Sequence, residues 1–343
     1  MRKSIFTCLI AVILFLTGCS KQSESTEKKE SFFAMDTYIT FTAYGENAES
    51  ALSQAKDKIM ALEQLWSVTD EHSEIYAVNH SSSQSVMVSS ETADILSFAL
   101  KMARKTDGAL EPTIYPVLQA WGFTTGENRI PSDMEIKELL NKVGYDKVMQ
   151  NNTSVRLPDK MMLDLGAVGK GYAGDVIIEL LKENEITSAL LDIGGNIQVI
   201  GSKPDDSEWR LGIRDPFGEG NVGVLAVHDM AVVTSGSYER YFIGEDGKQY
   251  GHIINPSTGY PAESGLVSIT VIAREGKLCD ALSTSLFVMG LDKATSYWQL
   301  NGGFDMILIT EDGEIHLTEG IRDGFSLDSY HANMKVNVIK YEK

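Results

Sequence analysis

The order of helical and extended hydrophobic patterns along this chain constrains its fold most. In the first half, the spacing of apolar residues predicts one strand within 32–44 and four helices, over 46–65, 91–105, 132–142 and 171–183. The second half is rich in predicted strands, over 188–200, 208–214, 222–228, 231–234, 238–243 and 266–273. It closes with helices over 276–289 and 291–299 and a strand over 305–310. Because strands and helices do not alternate strictly, an α+β fold is predicted rather than a doubly wound parallel sheet.

Domain organisation follows from length and composition. After residue 31 about 310 residues remain, which is enough for one large domain or for two closely packed ones. No long linker rich in Pro, Gly or Ser and no fixed-period repeat follows residue 31. We therefore predict a single large mixed domain over 32–343, with a mostly antiparallel sheet and packed helices.

The N-terminus has the pattern of a secretory signal. Basic residues at Arg2 and Lys3 precede an apolar run from Ile5 to Leu16, which is too short to span a bilayer. The ending Leu16-Thr17-Gly18-Cys19 resembles a bacterial lipoprotein signal, in which residues 1–18 are removed and Cys19 is lipidated. An ordinary signal peptide with an incidental cysteine is the alternative. The polar residues after Cys19 predict a flexible tether over 19–31, so the protein is expected to be extracytoplasmic and lipid-anchored to the bacterial cell membrane.

The charge of the chain excludes one class of partner. Its formal net charge is −18, and removal of residues 1–18, which carry two basic and no acidic residues, changes this to −20. So acidic a domain, without a basic stripe, does not favour nucleic acid. A polyphosphate ligand would need a cation and local donors. Of three cysteines, Cys8 leaves with the signal and Cys19 is taken by lipid, so Cys279 has no disulfide partner within the mature chain.

A cluster of oxygen-bearing side chains interrupts the apolar run from Leu278 to Met289. Asp280 and Thr284 are four residues apart and share one face of the predicted helix, with Ser283 beside them. Oxygen ligands on one helix face suit a hard cation such as Mg²⁺. Mg²⁺ in turn suggests phosphate chemistry.

Glycines at 166, 169 and 171 lie between a short predicted strand and a helix. They would let the backbone approach a ligand, and Lys170 among them would suit a phosphate. Their spacing fits neither the dinucleotide fingerprint nor a Walker loop, so an ordinary turn remains the alternative. The segments Asp192 to Asn196 and Thr234 to Tyr238 are also typical of turns, although the hydroxyls of the second could contact phosphate or ribose.

His252 stands apart from the other histidines because it begins an apolar run that leads into a Pro-Ser-Thr-Gly turn. The remaining five lie in polar, turn-like or terminal sequence. A lone histidine is more often structural than catalytic, so both interpretations remain open from the residues alone.

Taken together, these segments occur in the order seen in one family. They are Ala34 to Thr37, Gly108 to Thr113, Asp164 to Tyr172, Asp192 to Asn196, Thr234 to Gly236, His252 to Pro261, and Asp280 to Thr284. The chain resembles the ApbE family of FAD:protein FMN transferases, and the resemblance covers about residues 32–330. It implies an enzyme that cleaves FAD, attaches FMN to a Thr or Ser hydroxyl of a partner protein and releases AMP, with Mg²⁺.

The resemblance also implies the site residues. It assigns catalysis to His252 as base, Lys170 and Asp280, and it assigns the cation to Asp280, Ser283, Thr284 and the Ala167 carbonyl. The positions that match FAD-binding residues of the family are Met35, Thr69, Ala109, Leu110, Glu111, Asp164, Lys170 and Ile254. The implied partner is an acceptor flavoprotein subunit or lipoprotein of an extracytoplasmic electron-transfer system.

This sequence departs from the family pattern at several of these positions. Asp36 replaces a usual Gly, Glu111 a usual Asp, and Ser283 a frequent second Asp. Thr69 stands where the family often has a flavin-stacking Tyr; Trp66 would compensate if it faced the cleft, but it also fits the buried stripe of its helix. Two alternatives remain: an Mg²⁺-dependent FAD pyrophosphatase, which would use the same site to give FMN and AMP, and a flavin-binding lipoprotein without chemistry, which would need neither the base nor the cation ligands.

Overall fold

The computed structural model describes residues 26–341. Within this range the chain forms seven α-helices: α1 Ala48–Trp66, α2 Glu74–Asn79, α3 Ser90–Lys105, α4 Tyr115–Trp121, α5 Asp133–Leu140, α6 Gly166–Glu183 and α7 Gly276–Asn301. The first nine strands of the same range are β1 Glu27–Ala34, β2 Thr37–Tyr44, β3 Val86–Met87, β4 Met149–Asn151, β5 Ser154–Arg156, β6 Ser188–Ile193, β7 Asn196–Ile200, β8 Trp209–Arg214 and β9 Asn221–Val227. They are followed by β10 Ala231–Gly236, β11 Tyr241–Ile243, β12 Gln249–Gly251, β13 Ile254–Asn255, β14 Tyr260–Pro261, β15 Leu266–Ala273, β16 Asp305–Thr310, β17 Ile315–Thr318, β18 Phe325–Leu327 and β19 Val336–Ile339.

A large sheet organises the described part of the chain. Nine strands follow the order β1-β2-β6-β7-β10-β15-β16-β17-β19, and every neighbouring pair is antiparallel except β17 and β19. Helices α1, α3, α6 and α7 cover one face and form with it the main core, which contains most of the buried apolar side chains. The predicted α+β class with a mostly antiparallel sheet is confirmed.

The other face of this sheet is covered by a smaller sheet. Strands β18, β9 and β8 pack their alternating apolar side chains, Trp209 and Leu211 among them, against β10, β15 and β16 of the large sheet. The large sheet is therefore buried on both faces where its central strands lie, which explains the nearly continuous apolar run of β15.

A separate core holds a third group of elements, which we call the small lobe (residues 114–143 and 241–261). The buried residues of its core cluster are Val117, Trp121, Ile136 and Ile254. The Trp121 indole donates to the Gly259 carbonyl at 2.8 Å, which fixes the turn between β13 and β14 to α4. The small lobe carries His252 on the segment between β12 and β13.

The predicted tether is wrong for residues 27–31, which lie in β1. Their polar sequence is compatible with a strand because β1 pairs with β2 over its whole length, from Glu27 opposite Tyr44 to Ala34 opposite Thr37. Partners on α1 compensate charges of β1, as in the ion pair between Lys56 and Glu30 at 2.7 Å. The predicted signal peptide, Cys19 and the tether up to residue 25 lie outside the described residues. In residues 26–341 no helix is both long and apolar enough to cross a bilayer.

Three further predictions need correction. The strand predicted within 32–44 is a hairpin, because Met35 and Asp36 adopt positive φ and reverse the chain. The helix predicted over 171–183 begins at Gly166, so the glycine segment is helical rather than a turn. The helices predicted over 276–289 and 291–299 form one element, α7, interrupted by the non-helical backbone of Gly290.

Candidate functional site

The candidate site lies where α6 and α7 cross. A Cβ atom on Gly171 would stand 2.2 Å from the Gly276 carbonyl oxygen, so the helices approach this closely only with glycine there. At the crossing the Gly171 amide donates to Asp280 Oδ2 at 2.8 Å. In a regular α-helix, that amide donates to the carbonyl of Ala167, which lies one turn earlier. The structure therefore brings Asp280 to the helical turn that carries the Ala167 carbonyl.

Asp280 is a buried carboxylate in a polar pocket. It is 4 % exposed, and burial raises its pKa, while the positive charge of Lys170 and the backbone amides of Gly171 and Lys170 act in the opposite direction. Burial of an anion is unfavourable unless donors or a cation compensate it. This position therefore favours a bound cation.

The two hydroxyl residues near Asp280 differ in their environment. Ser283 is completely buried; its hydroxyl donates to the Asp280 carbonyl at 3.0 Å and accepts from the Ser235 hydroxyl at 2.9 Å. Ser283 thus connects α7 to β10. Thr284 is half-buried, one helical turn after Asp280. Asp280, Thr284 and the Ala167 carbonyl are the better placed of the predicted cation ligands.

The positive charge of the Lys170 side chain acts on several of the predicted site residues. Its charge lowers the pKa of Asp280, Asp164 and His252 relative to the value that burial and the other neighbours would give. Asp164 caps the start of α6, since its Oδ1 accepts from the Gly166 amide at 2.6 Å. Burial raises the pKa of Asp164, which Arg240 and then Lys170 oppose and Asp36 reinforces. Charged groups of the β1–β2 turn and of α6 therefore act electrostatically on one another, and Lys170 acts on His252 as well.

The tautomer of His252 is defined by its neighbours. The Arg240 carbonyl lies 3.0 Å from the His252 amide nitrogen and 3.1 Å from its Nδ1. Nδ1 is therefore the protonated nitrogen, and Nε2 carries the free lone pair. Burial, then Arg240 and Lys170, lower the pKa of His252 to about 4. The imidazole is neutral at physiological pH.

Glu239 and Arg240 also contribute charge to the site, although neither is among the residues predicted from the sequence. Desolvation raises the pKa of Glu239 to about 7, against the charges of Lys170 and Arg214, although the residue is exposed. Both residues follow directly after the flagged segment Thr234 to Tyr238. The signal in the sequence that could have identified them is a pair of charged residues directly after a strand end that contains glycine.

The turn at Met35 and Asp36 lies beside the tip of the β6–β7 hairpin. Met35 and Asp36 have φ of 52° and 57°, a conformation in which glycine is favoured and Asp is tolerated, which accounts for Asp36 at a usual Gly position. The Met35 amide donates to Glu63 Oε1 at 2.7 Å. At the neighbouring tip, a Cβ on Gly194 would be 2.0 Å from Thr37 Oγ1, so this hairpin turn needs glycine.

The loop of Ala109, Leu110 and Glu111 is stabilised by hydrogen bonds to the Glu111 carboxylate. Glu111 Oε1 accepts from the Thr113 amide and hydroxyl at 2.9 and 2.6 Å, and its Oε2 accepts from the Tyr145 amide at 3.0 Å. Burial raises the pKa of Glu111. The Leu110 side chain is 2 % exposed. Leu110 is therefore restricted to backbone contacts with a ligand, and Glu111 organises the loop.

Three remaining positions offer no inward-facing side chain to a ligand. Thr69 is exposed on the loop after α1, where its hydroxyl lies 3.3 Å from Ser67 Oγ. Trp66 does not face a cleft: it is 7 % exposed and packs edge-on against Tyr172, at 5.7 Å between ring centres. The Ile254 side chain belongs to the core of the small lobe, so only its backbone is available to a ligand.

The residues present fit a hard cation better than a transition metal. Within residues 26–341 no three His, Cys, Asp or Glu side chains cluster as a metal site. The donors gathered here are oxygens of a carboxylate, a hydroxyl and a carbonyl, which suit Mg²⁺. In addition, the buried Asn196 amide lies beside Asp280 and opposes the effect of burial on its pKa.

Known proteins are similar to this chain in sequence and in fold. The model of the ApbE family matches residues 35–308. The chain is 31% identical over 338 residues to the FAD:protein FMN transferase of Treponema pallidum, covering 92% of this chain and 93% of the relative. It is 32% identical over 327 residues to the enzyme of the same name from Escherichia coli K12, covering 89% and 92%.

Solved structures agree with the sequence relatives. The ApbE protein from Thermotoga maritima is 33% identical and superimposes with a TM-score of 0.82, covering 87% of this chain and 99% of that one. The flavin transferase ApbE from Vibrio cholerae, at 24% identity and a TM-score of 0.79, shows the same fold. Because the family model spans most of the chain and relatives above 30% identity cover nearly all of it, this chain belongs to the ApbE family.

Proposed function

We propose that this chain is an FAD:protein FMN transferase, which moves FMN from FAD to a Thr or Ser hydroxyl of a partner protein and releases AMP. The observation that carries the proposal is the convergence of three groups. A neutral His252 with a free Nε2 and a buried Asp280 carboxylate both lie within the field of Lys170. Family membership supplies the substrate: relatives bearing this name cover the site.

In the proposed reaction, His252 acts as general base. Its Nε2 accepts the proton of the acceptor hydroxyl, whose oxygen then attacks the phosphorus of the FMN half of FAD. The bond from this phosphorus to the bridging oxygen breaks, and AMP leaves with that oxygen. A base of this kind contributes about 10²–10⁴-fold to a rate.

The remaining residues of the centre position and neutralise the diphosphate. Lys170 would neutralise one phosphoryl oxygen, and the N-terminal end of α6, with its positive helix dipole, would favour the others. Asp280, Thr284 and the Ala167 carbonyl are proposed to hold Mg²⁺. When bound, this ion supplies positive charge to the leaving phosphate. A cation is needed more here than in a basic protein because the chain itself carries a net charge of −18.

Incubation of the purified protein with FAD, Mg²⁺ and candidate acceptor proteins tests the function. Intact mass of the acceptor is expected to increase by one FMN phosphoester, with AMP released in equal amount. His252→Asn and Asp280→Asn are each expected to remove most of the transfer while the protein stays folded. Transfer at the wild-type rate by either variant would contradict the assigned roles.

Hydrolysis of FAD is the second candidate, because His252 keeps contact with solvent and the same base would serve a water molecule. AMP and free FMN released without any acceptor would indicate this pyrophosphatase activity. Stable retention of FAD, with no AMP released under either condition, would instead support a flavin-binding lipoprotein.

We also propose that the protein is lipid-anchored and extracytoplasmic, through Cys19. The support is the signal pattern of residues 1–19, and an acceptor flavoprotein subunit or lipoprotein of an electron-transfer system outside the cytoplasm is the corresponding partner. Cys19→Ala is expected to abolish fatty-acid labelling and to release the protein from the membrane fraction. Retained labelling would refute the anchor without affecting the proposed chemistry.

A further inference from the structure

Two amide side chains interrupt the helix-facing side of β7. Asn196 and Gln198 are 1 % and 2 % exposed and lie two residues apart, so both point to the main core. Their cross-strand neighbours on this side are apolar, among them Ile193 opposite Asn196 and Ala231 opposite Gln198. Two amides in such surroundings need polar partners, since burial of an unpaired amide is costly.

Gln198 finds its partner at the helix crossing. Its Nε2 donates to the Gly171 carbonyl at 3.1 Å. A Cβ on Gly174 would lie 2.1 Å from this nitrogen, and a Cβ on Gly276 would lie 1.7 Å from it. The side chain of Gln198 therefore fills the space between α6 and α7 that three glycines leave open. It links the sheet to both helices.

Asn196 connects this contact to the carboxylate. Its Oδ1 lies 3.5 Å from Gln198 Nε2, which orients the amide so that Nδ2 points away from Gln198. Nδ2 is directed at Asp280 and opposes the effect of burial on that group, although it completes no hydrogen bond of full geometry within the described residues. It is thus a buried donor held beside Asp280.

The contacts form a closed path. Asp280 accepts from the Gly171 amide, the Gly171 carbonyl accepts from Gln198, and Gln198 holds Asn196 against Asp280. The amides of Gly171 and Lys170 act on the carboxylate from α6. A further donor, from the sheet side, restricts its rotation, as outer hydrogen bonds commonly do for metal-ligating groups.

We propose that Asn196 and Gln198 are positioning residues that set the orientation of the Asp280 carboxylate for cation binding. They act through Asp280 and the α6–α7 crossing rather than by contact with the reacting atoms. The inference rests on the proposed role of Asp280 as a cation ligand and adds to it the device that fixes this ligand.

Binding of Mn²⁺ to the full-length protein, followed by electron paramagnetic resonance without FAD, tests the inference. Gln198→Met keeps the shape of the side chain but removes the donor, and Asn196→Ala removes the second amide. Each is expected to raise the Mn²⁺ dissociation constant about tenfold. Gln150→Met is the matched control, because it deletes an amide that donates to a backbone carbonyl, that of Ala93, on α3 and away from the α6–α7 crossing.

The outcomes separate a positioning role from a structural one. Loss of thermal stability alone, with Mn²⁺ affinity unchanged at a temperature where the variant is folded, would overturn the inference. If Gln198→Met does not fold, Asn196→Ala decides the question by the same criterion. Asp280→Asn serves as reference: if it leaves Mn²⁺ binding unchanged, the proposed cation role itself fails, which is distinguishable from failure of the two amides.

Discussion

The protonation state of His252 depends on the backbone and the side chain of one residue, Arg240. The backbone carbonyl selects the tautomer, and the guanidinium is, after burial, the largest factor that lowers the pKa of the imidazole to about 4. A low pKa keeps the base unprotonated over a wide range of pH. A low pKa also means a weak base. His252 is therefore unprotonated at most pH values, but its affinity for the acceptor's proton is low.

Replacement of Arg240 is expected to move the acid limb of the activity profile. His252 acts unprotonated, so transfer is lost as pH falls through its pKa. Arg240→Gln removes a positive charge, raises the pKa of His252 toward 6.5 and therefore moves this limb to higher pH. The measurement is kcat/KM for the acceptor against pH. Arg240→Lys, which retains the charge, is the control, and an unmoved limb in Arg240→Gln would show that the guanidinium does not act on the base.

Two of the four glycines in helix α6 have very different surroundings, which gives a matched pair of substitutions. Gly171→Ala would place a Cβ 2.2 Å from the Gly276 carbonyl oxygen, whereas nothing lies within 4 Å of the corresponding position on Gly169. We expect Gly171→Ala to lower the free energy of unfolding by about 1–3 kcal/mol through overpacking. Gly169→Ala is expected to raise it by up to about 1 kcal/mol through helix propensity.

Chemical denaturation of both variants provides the measurement. Equal effects of the two substitutions would mean that α6 and α7 do not cross as closely as described. The comparison is informative because both changes add the same methyl group to the same helix, two residues apart.

Asp175 joins the same two helices in another way. From α6 it accepts hydrogen bonds from the first amides of α7, those of Gly276 at 2.5 Å and Lys277 at 3.1 Å. Burial raises its pKa from 3.8 to about 6, and the Lys277 and Gly276 amides oppose this only in part. Because the folded state holds the proton more tightly than the unfolded state, ionisation of Asp175 costs stability as pH rises from 4 to 6.

Asp175→Asn is therefore expected to change the pH dependence of stability. As pH falls from 7 to 4, wild type should gain about 2–3 kcal/mol relative to the variant, in line with a shift of about two pKa units. Urea denaturation at several pH values measures this difference. A constant difference between the two proteins over this range would contradict a raised pKa at Asp175.

For the molecule as a whole, the extent of the domain can be tested by truncation. The strand β1 begins at Glu27, so a protein starting at residue 32 lacks five of the eight residues of β1 and the ion pair between Lys56 and Glu30. We expect its Tm to lie a few degrees below that of a protein starting at residue 26. Equal Tm values would indicate that the first half of β1 adds nothing to stability.

The sequence predicts elements well where one periodicity covers a whole element. The apolar stripes of α1 and α3 and the run of β15 have this property, and their predicted bounds are within a few residues of those observed. The glycines of α6 have the composition of a turn, and their helical conformation depends on packing against α7. Local sequence does not contain that contact.

The site was predictable in kind but not in arrangement. Asp280 and Thr284 are neighbours along one helix, so their proximity follows from periodicity. The approach of Asp280 to Gly171 spans 109 residues of chain and required the fold. Gln198 was overlooked although a lone amide in the apolar strand from Ile197 to Ile200 is itself a signal of a buried polar partner.

The separation of the small-lobe core from the main core has a consequence for the order in which activities disappear on warming. His252 belongs to the small lobe, whose core cluster has four buried apolar side chains, while Asp280 and Lys170 lie on helices of the much larger main core. Regions with less buried apolar surface open at lower free energy, so amide hydrogen exchange should be faster in the small lobe. On warming, the protein would then lose its general base, His252, before it loses nucleotide binding.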